Sequence, residues 1–177
     1  MLPIIITGGP GAGKTTLVNA LGHLNYTIYA EGSRTLIEQQ SVIEGGILPW
    51  HNLGGFAKLC LELMSRQKTE AIEGSDISFM DRAIPDICGY LTKGGLPVPE
   101  SYRQASLGYH PQVFFCKPYA DIYVQDDIRP YPFEEALEIH KELVTSYQAL
   151  GYEVVEVPWG TVEQRVEFVV EGVRREA

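Results

Sequence analysis

The stretch Gly8-Gly9-Pro10-Gly11-Ala12-Gly13-Lys14-Thr15 constrains this chain most. It lies between an apolar run, Leu2 to Thr7, and a helical pattern from Thr16 to Leu21. Strand, glycine-rich turn and helix are the context in which a G-x-x-x-x-G-K-[ST] pattern carries meaning. Glycine lets the backbone fold tightly with its N–H groups turned inward. The stretch through Gly9, Gly11, Ala12 and Gly13 is therefore expected to form a concave nest for an anion. The helix opening beside Gly13 adds the positive end of its dipole. Lys14 supplies a point charge for the outer phosphates, and the Thr15 hydroxyl a ligand for Mg²⁺. The pattern predicts binding of a nucleoside triphosphate. The competing reading is a glycine turn between core elements.

A chain of 177 residues is expected to form a single domain over 1–177, large enough for a sizeable core. A net charge of −9 argues against binding DNA, RNA or anionic lipid through a general field. It leaves room for a local basic pocket, which is all a phosphate substrate needs. No apolar run is long enough to predict a membrane span. The first strand begins at once, without the basic, apolar and cleavage regions of a signal peptide. Cys60, Cys88 and Cys116 lack C-x-x-C spacing, so buried free thiols in a reducing cytoplasm are expected.

Further along, Tyr26 to Glu31 reads as a second strand ending in an acid, followed by a helix from Gly32. A long helical pattern runs from about Asn52 to Glu73, and Gly74 ends it. Ile77 to Asp81 is a third strand, again ending in an acid. Pro85 sits in the first turn of the next helix. A short helix is expected within Pro99 to Tyr109, then a strand at Val113 to Cys116 and an irregular excursion from Lys117 to Pro132. An amphipathic helix from Phe133 to Leu150, a strand from Tyr152 to Pro158 and a helix capped by Thr161 complete the chain. Five alternations of strand and helix predict an α/β three-layer fold, a mostly parallel sheet with helices on both faces. Ligands in such sheets bind at the carboxyl ends of the strands. That rule gathers the glycine loop, Glu31, Asp81-Arg82 and the Trp159 loop at one edge.

Each of these carries two readings. Asp81 is either a partner for Mg²⁺ and the chemistry, or a cap for the helix that follows. Arg82 either reaches a phosphate or substrate group, or forms a surface ion pair. Glu31 either takes the proton of an acceptor hydroxyl, or pairs with Arg34 at i, i+3. The excursion is either a lid bringing Lys117 and Arg129 onto a transferring group, or a solvated loop carrying Asp121, Asp126 and Asp127. Trp159 either packs on a nucleotide base or sits at the edge of the core. No guanine-selecting Asn/Thr-Lys-x-Asp motif occurs, which favours ATP. None of His23, His51, His110 and His140 falls in a metal spacing, and none is assigned a role. Most of the tyrosines are expected to pack half-buried, a few lining an acceptor pocket.

Taken together, G-G-P-G-A-G-K-T-T, A-E-G-S-R-T-L-I-E, F-M-D-R-A-I-P-D, I-Y-V-Q-D-D-I-R and L-G-Y-E-V-V-E-V-P resemble a group of small P-loop proteins. These are classed as AAA-domain ATPases of the NadR type. The similarity is to the nicotinamide-riboside-kinase domain and the wider nucleoside and nucleotide kinase class, not to hexameric unfoldases. It implies a five-stranded P-loop NTPase sheet ordered 2-3-1-4-5. It also implies ATP and Mg²⁺ binding through Gly11, Gly13, Lys14, Thr15 and Thr16. By the same resemblance, Glu31 matches the acid after the second strand, often the base for the acceptor hydroxyl, and Asp81-Arg82 the pair after the third. The lid departs from kinases with several closely spaced arginines, since Arg129 stands nearly alone. The resulting expectation is a small-molecule kinase acting on a nucleoside, nucleotide or cofactor precursor. The alternative is a nucleotide-dependent switch or slow NTPase without such an acceptor. Neither the acceptor nor the oligomeric state is legible from the residues.

Overall fold

Alternation along strands of three or four residues decides the layers of this molecule. The computed structural model describes residues 1–122 and 132–175. Its strands are β1 (Ile4–Thr7), β2 (Thr27–Tyr29), β3 (Ser78–Asp81), β4 (Gln112–Phe115) and β5 (Glu153–Glu156). All pair in parallel, in the order β2-β3-β1-β4-β5 that the resemblance implied. Ile4 lies beside Phe79, Ile5 beside Met80, and Ile6 beside Phe114. Successive side chains therefore face opposite layers. Ile5, Met80, Val113 and Phe115 pack with α3 (Leu53–Glu73), α4 (Ile84–Lys93) and α6 (Phe133–Ala149). Ile4, Ile6, Phe79 and Phe114 pack with α1 (Lys14–His23) and α7 (Val162–Arg175). Burial on both faces is why the central strands read as unbroken apolar runs.

The connections follow local chemistry. The Asn52 side chain caps α3 by accepting the Gly55 N–H at 2.9 Å. Thr161 and Gln164 bond reciprocally at the start of α7, a capping box with glutamine in the acidic place. The predicted helix after Pro99 is α5, limited to Glu100–Ala105. β2 stops at Tyr29, two residues short of Glu31. The Glu31 carbonyl instead accepts the Thr35 N–H at 3.2 Å, making Glu31 the N-cap residue of α2 (Gly32–Ser41). The three cysteines are buried and free. Among the described residues no helix is long and apolar enough to cross a membrane. Of the excursion, Asp126, Asp127 and Arg129 lie outside the described residues.

Candidate functional site

The glycine loop connects β1 to α1 in a form that needs its glycines. Gly11 and Gly13 hold φ of 74° and 73°, in the left-handed region. At Gly8, with φ 139°, a Cβ would fall 1.9 Å from the Cys116 carbonyl oxygen. Gly13 is the N-cap residue of α1, so that helix begins at the loop. Lys14 is buried, Thr15 is half-buried and Thr16 exposed.

Four of the predicted site residues meet in one charge network. The Lys14 ammonium donates to Asp81 Oδ1 and, at 3.2 Å, to Glu31 Oε2. Thr15 Oγ1 donates to Asp81 Oδ2 at 3.0 Å. Arg82 Nε donates to Glu31 Oε1 at 3.0 Å, and Ser33 Oγ donates to the same oxygen at 3.0 Å. Burial opposes ionisation of Glu31. The charges of Lys14 and Arg82, with hydrogen bonds from Ser33 and Lys14, outweigh it and hold the carboxyl well below the usual carboxylate range. Arg82 has φ 67°, unusual for a residue with a Cβ, and its N–H is tied to the Ile6 carbonyl at 2.9 Å. That turn swings the guanidinium back under the loop, where it donates to the Gly8 carbonyl at 2.8 Å and to Asp86 at 3.2 Å.

These contacts remove one of the two readings at each of three residues. Asp81 does not cap α4: Asp86 accepts the Ala83 N–H there at 2.9 Å, while Asp81 faces Lys14 and Thr15. Arg82 forms no surface pair; it is buried. Glu31 pairs with Lys14 and Arg82 rather than with Arg34.

Two residues here escaped the sequence reading. Asp86 is a buried hub that accepts from Thr7 Oγ1, Tyr147 OH (2.7 Å), Arg82 and the Ala83 N–H. Its capping pattern was hidden because the N-cap residue is alanine. His140 accepts the Gly9 N–H on Nδ1 at 3.0 Å. Burial, with the nearby charges of Lys117 and Arg82, lowers its pKa from 6.5 to about 4, so it is neutral. The available signal was a histidine on the apolar stripe of α6, among Ala136, Ile139, Leu143 and Tyr147.

Beside the loop, a cavity of about 100 Å³ opens between α2, α3 and α4. Its walls are largely apolar, including Ile37, Phe56, Met64 and Ile87. Glu31, Ser33, Arg34 and Arg82 supply polar lining, and Tyr90 is the one tyrosine lining it among the described residues. Cys60, also in the wall, is kept a neutral thiol, its pKa pushed up to about 12 by burial and by Glu31.

Trp159 stands apart from this cavity. Its ring stacks on Tyr119, with centroids 4.2 Å apart and an interplanar angle of 16°. Both line a second cavity, of about 580 Å³, with Lys117, Lys141 and Arg165. This one also touches the loop: the Tyr119 N–H donates to the Gly11 carbonyl at 3.2 Å, and Arg165 donates to the Ala12 carbonyl at 3.0 Å. The Arg165 guanidinium lies 5.1 Å from the Trp159 ring centroid.

No group of three or more His, Cys, Asp or Glu placed to hold a metal occurs among the described residues. Thr15 Oγ1 and Asp81 Oδ2, 3.0 Å apart at the end of the loop, fit the smaller demand of Mg²⁺. That ion takes one or two protein oxygens and completes its shell with water and phosphate.

The sequence model of a family described as an AAA domain matches residues 3–165. The chain belongs to that AAA-domain family. Solved structures show the same fold at low identity. The NadR protein in complex with NR matches with a TM-score of 0.71 and 20% identity, over 98% of this chain and 51% of that one. This AAA-domain chain thus spans about half the length of NadR. Deoxyadenosine kinase from M. mycoides matches with a TM-score of 0.65 and 13% identity, over 99% and 100% of the two chains. Shikimate kinase from Acinetobacter baumannii, in complex with shikimate, matches with a TM-score of 0.59 and 14% identity, over 99% and 94%. No curated protein sequence is a match.

Proposed function

We propose that this AAA-domain protein is a small-molecule kinase that transfers the γ-phosphoryl group of ATP to a hydroxyl. One observation carries the reading: Glu31 and Arg82 bridge the glycine loop and the cavity beside it. Both line the cavity, and Glu31 is bonded to the loop's Lys14. A donor site and an acceptor site therefore share one charge network. A protein that only held or slowly hydrolysed a nucleotide has no need of the second half.

The roles follow from the contacts. The backbone of Gly11, Ala12 and Gly13, with Lys14, holds the phosphates, while Gly9, predicted from the sequence to do the same, gives its N–H to His140 and shapes the loop instead; Thr16 closes the nest in the first turn of α1. Thr15 and Asp81 hold Mg²⁺, which supplies positive charge to the phosphate oxygens. Glu31, kept ionised by Lys14 and Arg82, accepts the proton of the acceptor hydroxyl. Arg82 orients that carboxylate through Nε. Trp159 and Tyr119 offer flat faces for the base. Apolar walls exclude water, which would otherwise compete as the phosphoryl acceptor.

The test is an acceptor panel. Purified protein with ATP·Mg²⁺ is offered nucleosides, nucleotides and hydroxyl-bearing cofactor precursors, and ADP release is followed. Release far above the basal rate with one class of acceptor is expected. A flat panel with slow basal turnover would replace the kinase by a nucleotide switch. Lys14→Ala is expected to lose most nucleotide affinity by calorimetry, and unchanged binding would overturn the whole reading.

A further inference from the structure

The charges lining the cavity between α2, α3 and α4 do not balance. Lys14 is matched by Asp81 and Glu31, and Arg82 by Glu31 and Asp86. Both lining carboxylates, Glu31 and Asp86, are thereby used. Arg34 is different. It lines the same cavity and is half-buried, yet it has no hydrogen-bond or ion-pair partner among the described residues. It sits in the first turn of α2, where unpaired backbone N–H groups add positive potential and none of the first-turn side chains is acidic. We propose that Arg34 receives an anionic group of the acceptor, a carboxylate or a phosphate monoester, while an acceptor hydroxyl faces Glu31.

Residues three apart on a helix lie on one face, about 5–6 Å apart at Cβ. Glu31, as the N-cap residue, and Arg34 therefore address two groups of one compact molecule. Glu31 does not repel the anion strongly, because Lys14 and Arg82 already neutralise it. A guanidinium binds an oxyanion through paired N–H donors, and the apolar wall strengthens that bond. The same charge disfavours a cationic acceptor. The inference rests on the kinase reading only in calling the bound molecule an acceptor.

Three probes with one aromatic body and different heads test it: benzoate, benzyl alcohol and benzylammonium. Each is titrated by ligand-observed NMR or calorimetry into protein saturated with Mg²⁺ and a non-hydrolysable ATP analogue, so that the phosphate nest is filled. Benzoate is expected to bind about 10-fold or more tightly than the alcohol, and benzylammonium weakest. Arg34→Gln should bring benzoate to the level of the alcohol, and Arg34→Lys should keep part of the preference. Melting temperature checks that both variants are folded. Phenyl phosphate separates a carboxylate site from a phosphate site, and preference for either supports the proposal. Equal binding of alcohol and benzoate, no effect of Arg34→Gln, or no binding of any probe would overturn it. The kinase reading is judged separately by acceptor-dependent ADP release. Release with neutral acceptors as good as with acids would end this inference and leave that reading standing.

Discussion

Gly9 donates its backbone N–H to Nδ1 of His140, 131 positions away, at 3.0 Å. The bond ties the glycine loop to the middle of α6, and packing reinforces it. A Cβ on Gly9 would meet Pro118 Cγ at 2.6 Å, the Ala136 carbonyl at 2.7 Å and His140 Cβ at 2.8 Å. The loop is thus held against the helix that follows the excursion, so its shape depends on α6.

His140→Leu is expected to strand the Gly9 N–H and cost about 1–3 kcal/mol by chemical denaturation. ATP binding should weaken as the loop loses its anchor. His140→Asn, whose side-chain oxygen can accept the same N–H, should recover much of both. The pH dependence has a definite sign. The folded-state pKa, about 4, lies below the ordinary 6.5, so the unfolded chain takes up the proton first as pH falls. Stability is full above about 6.5 and declines down to about 4, by about 1–3 kcal/mol. His140→Asn should flatten that interval, and an unchanged profile would show that another group titrates there.

Much of this was legible in the sequence because it is local. The loop, the cap at Thr161 and the alternation of strands with helices each depend on residues a few positions apart. Lys14, Glu31, Asp81 and Arg82 were found because strand ends in a parallel sheet share an edge. What escaped depends on distant pairing. Nothing near His140 announces Gly9, and nothing near Asp86 announces Tyr147, 61 positions on. The cavity between α2, α3 and α4 was invisible for the same reason, since its walls come from three helices whose spacing no local pattern encodes. An i, i+3 pair of Glu31 with Arg34 was one of two open readings, and the fold removes it by bringing Lys14 and Arg82 to Glu31.

Glu31→Gln separates binding from chemistry. The amide keeps the shape and can still accept from Ser33 and Arg82, but it takes no proton. Turnover with acceptor is expected to fall about 10²–10⁴-fold while ATP affinity is largely kept. Full activity in this variant would pass the role of base to Asp81. Because the folded carboxyl is held below its ordinary 4.5, Glu31 adds stability above that pH and loses it as the solution is acidified further. The wild-type rate should therefore show no acid limb from Glu31 between pH 5 and 8.

Trp159 offers an optical test of the second cavity. It is 46% exposed and stacked on Tyr119 at 4.2 Å, so a base entering there must disturb one face or the other. In a Trp50→Phe background, emission should change on adding ATP·Mg²⁺ and stay flat with an acceptor alone. Trp159→Ala is expected to raise the KM for ATP about 10-fold, in line with the loss of one aromatic stacking face, with little change in the acceptor KM. An acceptor-dependent signal would instead place Trp159 in the closing of the other site.

Asp86 holds the underside of the site, and its removal should be felt in stability before chemistry. Asp86→Ala leaves the Arg82 guanidinium buried with only one carboxylate, and strands the Ala83 N–H and the Tyr147 hydroxyl. Losing one partner of a buried ion pair typically costs about 3–5 kcal/mol. Tyr147→Phe removes one donor to the same carboxylate and should cost about 1.5–3 kcal/mol. If the hub acts as one network, the double variant will be less destabilised than the sum of the singles, because each change already releases the other's partner. Simple additivity in denaturant would mean that Tyr147 and Asp86 are packed together without depending on one another.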